Sequence, residues 1–411
     1  MLNRWALSEA STPKKRIGPR RRGRFIVMVF LIAFGVPAPL CAALVHLSGQ
    51  PWTVLACAGL ISFGFIATMF AGQAAWGAPG RLRLYLVLWP FFIWWTLGLL
   101  FAALAPLAFI VAAALHAPWN AAWTAGLGAA LIGTLMAFVG RPRLREHEIE
   151  IAGLPVAFDG YRVAQISDLH CGPFADGARV DRWVAAVNRL EVDLVAVTGD
   201  LIASGSTFVP VVATSLGKLR GRDGVFACMG NHDYFTEGEE MASALERAGL
   251  TLLRNRGVSI RRDDAVLYVA GVDDTWTKRN DLDRALADRP AAASTLLLAH
   301  DPVLFPDAAK RGVDLTLSGH THGGQIGVPF FARRFNLARV ITRFTTGLYR
   351  MGAAALYVNR GLGTTGMPIR LWVPAEIAVL TLRRAPQTVG GQTSAASDSP
   401  EIAMPDGLLR A

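Results

Sequence analysis

The chain has 411 residues, of which 52% are hydrophobic, a formal net charge of +10 and four cysteines. It is longer than one average domain, and a charge of this sign is compatible with nucleic-acid binding. However, eight lysines and arginines lie within residues 1–24, directly before the first long apolar stretch, which is typical of the cytoplasmic flank of a membrane helix. We therefore expect no nucleic-acid partner. The cysteines show no CxxC or disulfide-type spacing, which is compatible with a reducing compartment.

Residues 1–24 are polar and basic, and we expect them to form a disordered cytoplasmic arm. Apolar stretches long enough to cross a bilayer follow this arm and predict a transmembrane region of four helices at residues 25–140. The stretches are residues 25–47, 53–75, 85–115 and 119–139. The first one is too long for a signal peptide, and no polar mature start follows it.

Positive charge in the loops predicts the orientation of these spans. Arg81 and Arg83 lie in the middle loop and Arg141 follows the last span, whereas residues 46–51 and 116–118 contain no lysine or arginine. We therefore expect both chain ends in the cytoplasm and predict a multi-pass protein of the cell inner (cytoplasmic) membrane. No span has an Asp, Glu, Lys or Arg in its interior, which is unusual for a transporter or channel. The spans are interpreted as an anchor.

Residues 145–384 are predicted to form an α/β domain, because short β-rich runs are separated by a few amphipathic stretches. Strands are expected at residues 147–151, 162–167, 193–198, 224–229, 265–270, 295–299, 313–317, 354–358 and 377–382. Helices are expected at residues 180–190, 238–248 and 281–287. The excess of strands indicates two packed sheets with helices outside. Residues 385–411 are rich in Gly, Ser, Thr and Pro and are predicted to be a disordered tail.

Potential metal ligands follow five of the apolar runs, at the points where strands are expected to end in loops. They are Asp168, His170, Asp200, Asn231, His300, His320 and His322. Carboxylate, imidazole and amide ligands without thiolate favour Mn, Fe, Zn or Ni over a closed structural zinc site. Seven donors are too many for one tetrahedral ion and suit two divalent metal ions that share a carboxylate. Two such ions, about 3.5–4 Å apart, clamp a phosphate and generate hydroxide from water.

Five blocks that contain these donors resemble, in the same order, the five signatures of the calcineurin-like metallophosphoesterases. The blocks are Ile166-Ser-Asp-Leu-His170, Thr198-Gly-Asp-Leu201, Gly230-Asn-His-Asp233, Leu298-Ala-His-Asp301 and Ser318-Gly-His-Thr-His322. The extension Gly323-Gly324-Gln325 is similar to the bacterial membrane-associated branch of that superfamily, which has a GHTHGGQ signature. The resemblance covers about residues 149–382. It implies a double β-sandwich flanked by helices, with the ligands on loops at one edge.

The resemblance also implies a role for each donor. Asp168, His170 and His322 would hold the first metal, Asn231, His300 and His320 would hold the second, and Asp200 would bridge them. His232 would be catalytic, as the donor of a proton to the leaving oxygen. The sequence departs from the protein phosphatases, because no second Asp and no Arg follow Gly199-Asp200. This departure argues against phosphoprotein substrates and leaves the orienting partner of His232 unidentified.

Other polar and aromatic residues leave alternatives open. Arg360 would either contact the substrate phosphate or form a salt bridge within the scaffold. Asp273 and Asp274 are expected to be ordinary turn carboxylates rather than site residues. An aromatic and basic segment after the histidine pair would either lie on the membrane, where it receives a lipid headgroup, or be a solvated loop. Its residues are Phe330, Phe331, Phe335, Arg333, Arg334 and Arg339.

The predicted function is that of a membrane-anchored two-metal phosphoesterase. It would hydrolyse phosphate esters by a metal-activated hydroxide, with diesters favoured and lipid-linked esters among the candidate substrates. The first alternative is an anchored phosphoesterase for soluble nucleotides or sugar phosphates. The second alternative is a non-catalytic membrane receptor or scaffold, which is disfavoured because all seven donors are present. The sequence predicts no oligomeric state.

Overall fold

The computed structural model describes residues 27–70, 80–139, 141–235, 238–328 and 331–386. The predicted basic arm, Phe330 and the predicted tail from residue 387 onward lie outside these residues. The chain divides into two compact units. One unit contains most of the apolar helices, and the other contains both β-sheets.

Four apolar helical segments are long enough to cross a membrane. They are Val27–Ser48, Pro51–Thr68, Leu84–Ala114 and Trp119–Phe138. Their longest α-helical parts are α1 (Ala38–Ser48), α2 (Pro51–Phe70), α3 (Trp89–Ala114) and α4 (Trp119–Val139). These segments coincide with the predicted spans to within a few residues where they are described. The predicted end of the second span, at residue 75, lies outside the described residues.

The first span contains a π-helical turn at Leu31–Gly35, two residues before a proline. A proline has no N–H group, so the carbonyl group four residues before it, that of Ala33, lacks its helical partner. The π-helical turn contains this residue and the preceding Ile32. The Trp95 indole N–H donates to the Ile32 carbonyl at 2.9 Å, and the Ser62 hydroxyl donates to the Ala33 carbonyl at 3.1 Å. Because water is absent from a bilayer core, such side-chain donors remove a substantial cost.

The other unit contains two six-stranded mixed sheets, and each of them has a central run of parallel strands. The order of the first sheet is β1 (Arg143–Ile151), β12 (Glu376–Arg384), β2 (Arg162–Ile166), β3 (Leu194–Thr198), β4 (Gly224–Cys228) and β5 (Thr251–Leu252). The order of the second sheet is β10 (Gly347–Met351), β11 (Ala354–Val358), β9 (Leu315–Ser318), β8 (Ser294–Leu298), β7 (Ala265–Gly271) and β6 (Arg256–Arg262). Parallel strands place their carboxyl ends at one edge, so the loops that follow them meet there.

Apolar side chains from both sheets form a common buried core. Val163 and Leu194 of the first sheet belong to the same cluster as Leu296 and Leu317 of the second. Helices cover the outer faces of the sheets. They are α5 (Gly177–Asn188), α6 (Val209–Leu216) and α7 (Gly238–Arg247) on the first sheet, and α8 (Leu282–Ala285) and α9 (Phe305–Lys310) on the second. The predicted fold class, four apolar helices followed by two packed sheets with outer helices, is confirmed.

Several elements differ from the predictions. The predicted helix at residues 281–287 is the single turn Leu282–Ala285, and the strand predicted from residue 313 begins at Leu315. This strand starts late because the Val313 N–H closes the end of α9 on the Ala308 carbonyl. The sequence patterns missed α6, α9, β5, β6 and β10. These elements are short or partly exposed, so their apolar periodicity is weak.

Candidate metal centre

The carboxyl ends of five parallel strands converge on one cluster of polar side chains. Asp168 and His170 follow β2, Asp200 follows β3, and Asn231 follows β4. His300 follows β8, and the pair His320 and His322 follows β9. The structure therefore brings residues from both sheets to one place although they are up to 154 positions apart, from residue 168 to residue 322. Their proposed role as ligands is developed below.

The backbone is strained at most of these positions. The angle φ is 50° at Asp168, 44° at His170, 53° at Asp200, 70° at His320 and 52° at His322. Non-glycine residues rarely adopt this left-handed region, and each such residue costs on the order of 1 kcal/mol or more. Strain of this kind persists only when the surrounding structure fixes it, and it concentrates at functional sites. Here it turns each side chain out of the strand direction at the sheet edge.

The donor atoms form three overlapping groups. Asp168, His170 and His322 form one group, Asp200, His300 and His320 form another, and within each group the donor atoms lie within 4.8 Å of one another. Asp200 also belongs to the third group, with His170 and His232. Its Oδ2 lies 3.3 Å from His300 Nε2 and 3.5 Å from His170 Nε2. Asp200 is therefore the carboxylate that both halves of the cluster share.

Unsatisfied donor and acceptor atoms inside the cluster fit a bound cation. The Asn231 Oδ1 atom is buried and has no hydrogen-bond partner among the described residues. The Nε2 atoms of His170 and His322 lie only 2.9 Å apart, and His320 Nδ1 lies 3.2 Å from His300 Nε2. Buried polar atoms normally find a partner. Two ring nitrogens this close to each other are able to direct their lone pairs at one cation. Because carboxylate, amide and imidazole donors suit Mn, Fe, Zn and Ni, the residues fit divalent ions of this type.

Groups outside the cluster orient its histidines. The His300 Nδ1–H donates to the Thr198 carbonyl at 2.7 Å, which directs the Nε2 atom towards Asp200. The His232 Nδ1–H donates to the Ala203 carbonyl at 2.8 Å, and the His232 backbone N–H donates to Asp200 Oδ1 at 2.9 Å. Ligating histidines commonly make such a bond through their second nitrogen. A backbone carbonyl is therefore the orienting partner of His232 that sequence reasoning did not find.

Glycines allow the donor loops to approach one another closely. A Cβ atom at Gly230 would lie 2.8 Å from His300 Nε2, and a Cβ atom at Gly199 would lie 2.6 Å from the Gly230 backbone nitrogen. A Cβ atom at Gly319 would collide with Ser167 Oγ and Asp168 Oδ2. Any side chain at these positions would push the strand-end loops apart. The glycines of the sequence blocks thus set the compactness of the cluster.

Burial and neighbouring charge shift the pKa values of the cluster. Burial raises the pKa of Asp168 to about 7, and it lowers the pKa of His170 to about 3. Burial also acts to lower the pKa of His300, but the adjacent Asp200 carboxylate outweighs it and raises that pKa to about 10. Conversely, the surrounding imidazoles outweigh burial and hold the pKa of Asp200 below its usual range. A charged carboxylate thus lies among imidazoles that differ in their protonation.

Two arginines near the donor loops are bound to the scaffold. The Arg360 Nε–H donates to Thr346 Oγ1 at 2.9 Å and lies 3.4 Å from the Glu376 carboxylate. This geometry favours the scaffold interpretation of Arg360 over contact with substrate. Arg370, which sequence reasoning missed, donates to the Gly363 carbonyl at 2.6 Å and lies 3.3 Å from His322 Nδ1. Arg370 lies in a loop, where no periodic sequence pattern indicates a contact with His322.

Asp273 and Asp274 differ in their environment. Asp273 is buried and accepts hydrogen bonds from the Tyr234 hydroxyl and the Arg254 Nε–H, which makes it part of an ion-pair cluster. Asp274 is buried, and one of its oxygens accepts the Thr277 backbone N–H at 2.7 Å. Both carboxylates stabilise the turn after β7, as expected. Neither belongs to the three donor groups.

Two exposed aromatic rings lie against histidines of the cluster. The ring of Phe235 is 56% exposed and lies 4.5 Å from the His232 ring, measured between centroids. The ring of Trp276 is 61% exposed and lies 5.3 Å from the His320 ring. Large apolar side chains with this exposure beside a polar cluster are available to contact a ligand. The sequence analysis did not single out either residue.

Comparison with known proteins agrees with this geometry. The family described as calcineurin-like phosphoesterase matches residues 161–324. The uncharacterized metallophosphoesterase YkuE of Bacillus subtilis is 32% identical over 247 residues, which cover 58% of this chain and 84% of that protein. A transmembrane protein with metallophosphoesterase domain from Bos taurus is 32% identical over 281 residues. This match covers 63% of this chain and only 62% of the bovine protein.

Solved structures resemble the chain more distantly. A structure described as a novel archaeal phosphodiesterase is 16% identical, with a TM-score of 0.28, and the match covers 49% of this chain and 84% of that one. The NAD nucleotidase of Haemophilus influenzae is 13% identical, with a TM-score of 0.34, and the match covers 52% of this chain and 45% of that one. Scores this low support no conclusion about substrate.

Proposed function

The chain belongs to the calcineurin-like metallophosphoesterases, and we propose that it is a membrane-anchored hydrolase of phosphodiesters that uses two metal ions. That it is a metal-dependent phosphoester hydrolase follows from its family. Its four apolar helices and its bovine relative make it a membrane protein. The observation that carries the finer proposal is the position of the Asp200 carboxylate between two donor groups, 3.5 Å from His170 of one group and 3.3 Å from His300 of the other.

We assign the donors to two sites. Asp168, His170 and His322 would hold the first ion, Asn231, His300 and His320 would hold the second, and Asp200 would be shared by both. The unpartnered Asn231 oxygen supports this assignment, because it needs a cation or donor at the position of the second ion. Mn, Fe, Zn and Ni are all compatible with the donor set. Bound ions would activate a water molecule and neutralise the charge of the phosphate.

His232 is proposed to protonate the leaving oxygen. The Ala203 carbonyl fixes its Nδ1–H, so the ring cannot turn and its second nitrogen is the one available for proton transfer. A ring nitrogen of His232 also lies close to His170 and Asp200, so a role as a ligand is the competing assignment. An imidazole is suited to proton donation near neutral pH. Loss of turnover with retained metal distinguishes the two roles.

The contacts of the nearby arginines favour diesters over monoesters as substrates. A phosphomonoester carries up to about two negative charges near neutral pH, whereas a diester carries one. Among the described residues, the two arginines at the donor loops are already bound, Arg360 by Glu376 and Arg370 by backbone carbonyls. Neither guanidinium is free of protein partners, which leaves less positive charge for the second negative charge of a monoester. A monoanionic diester therefore fits this site better.

A second candidate function is hydrolysis of soluble nucleotide diesters by the same anchored enzyme. The exposed rings of Phe235 and Trp276 favour it, because aromatic side chains stack on bases. The same rings are compatible with an apolar or aromatic leaving group of any origin. Substrates with and without a base decide between the two candidates.

We propose that the sheet domain faces the cytoplasm. Arginines lie before the first span, between the second and third spans and after the fourth span, and they are absent from residues 46–51 and 116–118. A reporter that is active only outside the cytoplasm tests this topology. Fused after Arg384 it is expected to be inactive, and fused after His116 it is expected to be active. The opposite pattern would place the metal centre outside the cytoplasm.

Hydrolysis of paired chromogenic monoesters and diesters by the purified full chain with Mn²⁺ tests the function. We expect turnover that favours the diester and that is absent from Asp200→Asn. Asp307→Asn is the matched control, because this exposed carboxylate only pairs with Lys310. A monoester preference would overturn the diester proposal. Equal activity of Asp200→Asn and the native chain would overturn the metal assignment.

A further inference from the structure

The surface after the histidine pair combines exposed apolar and basic residues. We define the basic apolar loop as residues 331–343. Val340 is 88% exposed and Ile341 is 81% exposed. Phe331, Phe335 and Leu337 are each more than half exposed. Such a concentration is unusual, because soluble surfaces rarely expose contiguous apolar patches.

This loop stands out within its own domain. Among the described residues from 143 to 386, thirteen large apolar side chains are exposed, and five of them lie within residues 331–341. The others are scattered among the loops and edges of the two sheets. Single exposed apolar residues are normal, but five in eleven consecutive positions are not. A patch of this kind is typical of a surface that binds a partner.

The charge of the loop indicates the chemistry of that occupant. Residues 331–343 contain Arg333, Arg334, Arg339 and Arg343 and no Asp or Glu. Among the described ion pairs, none involves Arg333, Arg334 or Arg339. Arg333 instead donates to the Leu348 carbonyl at 2.8 Å, and the Arg334 guanidinium lies 5.8 Å from the Phe335 ring centroid. A surface with positive charge and exposed apolar side chains is complementary to anionic headgroups above an acyl layer.

We propose that the basic apolar loop binds an anionic lipid surface. Its aliphatic and aromatic side chains enter the boundary of the acyl chains, and its arginines contact headgroup phosphates. A lipid surface is favoured over other partners because the chain itself has four segments able to cross a bilayer and is therefore held where such lipids are present. Nucleic acid would use the arginines but would leave Val340 and Ile341 in water.

The loop is fixed to the metal centre rather than hinged. The Leu337 N–H donates to the Ile326 carbonyl at 3.3 Å, and the Thr321 hydroxyl donates to the Thr345 carbonyl at 2.6 Å. At Gly324, where φ is +81°, a Cβ atom would lie 2.8 Å from the Leu337 backbone nitrogen. Thr321 and Gly324 flank His322. Lipid contact by the loop would therefore place the donor loop of His322 next to the membrane surface and its phosphodiesters.

A fluorescent label on the loop of the full chain tests the contact without relying on catalysis. Val340→Cys is made with Cys41→Ser and Cys57→Ser, because the other two cysteines are buried, and is labelled with a polarity-sensitive dye. Val156→Cys is the matched control, because Val156 is 70% exposed and precedes β2 at the edge opposite to the site. Ile341→Cys is the second loop variant. Each protein is reconstituted into phosphatidylcholine vesicles with and without phosphatidylglycerol.

We expect lipids with a spin label in the acyl chain to quench the dye at position 340 or 341 at least about twofold more than at position 156. We also expect phosphatidylglycerol to increase that difference, because the arginines add electrostatic attraction. Equal quenching at the loop and control positions would overturn the proposal. Quenching that is unchanged by phosphatidylglycerol would overturn its anionic part. A chain that is quenched at the loop but hydrolyses no diester would leave this proposal standing and contradict the proposed function.

Discussion

The same strands carry a polar cluster at each end, and the two clusters are built in opposite ways. At the carboxyl ends lie the candidate metal ligands, with strained backbone and an Asn231 oxygen that has no partner among the described residues. At the amino ends, Arg262 Nη2 contacts Asp193 Oδ1 at 2.9 Å and Asp223 Oδ2 at 3.0 Å. The Tyr161 hydroxyl donates to Asp223 at 2.9 Å, and its ring lies 4.7 Å from the Arg262 guanidinium.

This difference shows which polar cluster serves stability and which serves function. In the amino-end cluster, cations and anions are matched and the hydrogen bonds are made within the protein. In the carboxyl-end cluster, imidazole nitrogens face one another, and the Asn231 oxygen has no partner among the described residues. Buried polar atoms without partners cost free energy. Such a cost in free energy is tolerated at a site where a bound ligand supplies the missing partner.

The largest expected effect is that of Asp200→Asn at the carboxyl-end cluster. Removing the shared charge is expected to lower diester hydrolysis by at least about 10³-fold and to release metal, while the chain remains folded. Activity and metal content per chain are the measurements, with Asp307→Asn as the control. Full metal content in an inactive Asp200→Asn would contradict a bridging role for this carboxylate.

His232→Ala comes next and separates proton transfer from metal binding. We expect kcat to fall about 10²- to 10⁴-fold while both metals stay bound. The fall in kcat should be larger for a substrate with a poor leaving group than for one with a good leaving group, because only a poor leaving oxygen needs the proton. Loss of metal from this variant would make His232 a ligand and overturn the division of roles.

Metal removal is expected to change stability through the carboxyl-end cluster alone. A ligand present at 100 times its Kd stabilises the folded state by about 2.7 kcal/mol per site. Chelation should therefore lower the Tm, and added Mn²⁺ should restore it. A Tm of Asp200→Asn that responds to Mn²⁺ as strongly as that of the native chain would count against the assigned donors.

Arg262→Ala is expected to weaken the amino-end cluster without affecting catalysis. It leaves the buried Asp193 with fewer cationic partners, and a loss of about 1–2 kcal/mol in the free energy of unfolding is expected, since the Arg262 side chain is partly exposed. Arg262→Lys should recover part of this loss. Denaturant unfolding and kcat/KM at a temperature well below the Tm are the measurements. A large fall in kcat with unchanged stability would remove the contrast between the clusters.

Trp276→Ala should have the smallest effect. If the exposed ring contacts substrate, KM for an aromatic diester is expected to rise about two- to tenfold with kcat nearly unchanged. Trp276→Phe is the conservative control, because it keeps a ring beside His320. Unchanged KM in the alanine variant would show that the ring does not contact the substrate.

The sequence by itself determined the fold class and indicated the candidate metal ligands. Long apolar runs are typical of membrane spans, and short apolar runs that end in Asp, Asn or His are typical of strands that lead into a site. Because the ends of neighbouring strands meet at one edge of a sheet, donors that are distant in sequence were predicted to meet. The family resemblance then ordered them into two groups, and the structure places Asp168, His170 and His322 together as that order implied. The division of ligand roles remains a prediction.

Only the tertiary structure decided what surrounds those donors. Arg360 bonds Thr346 and pairs with Glu376, Arg370 lies beside His322, and a carbonyl of Ala203 orients His232. The amino-end cluster and the exposure of Val340 likewise depend on segments that are far apart in sequence. The type of a residue limits which hydrogen bonds and ion pairs its side chain is able to make. Which bonds it makes depends on the neighbours that folding brings to it, and these neighbours leave no periodic pattern in the sequence.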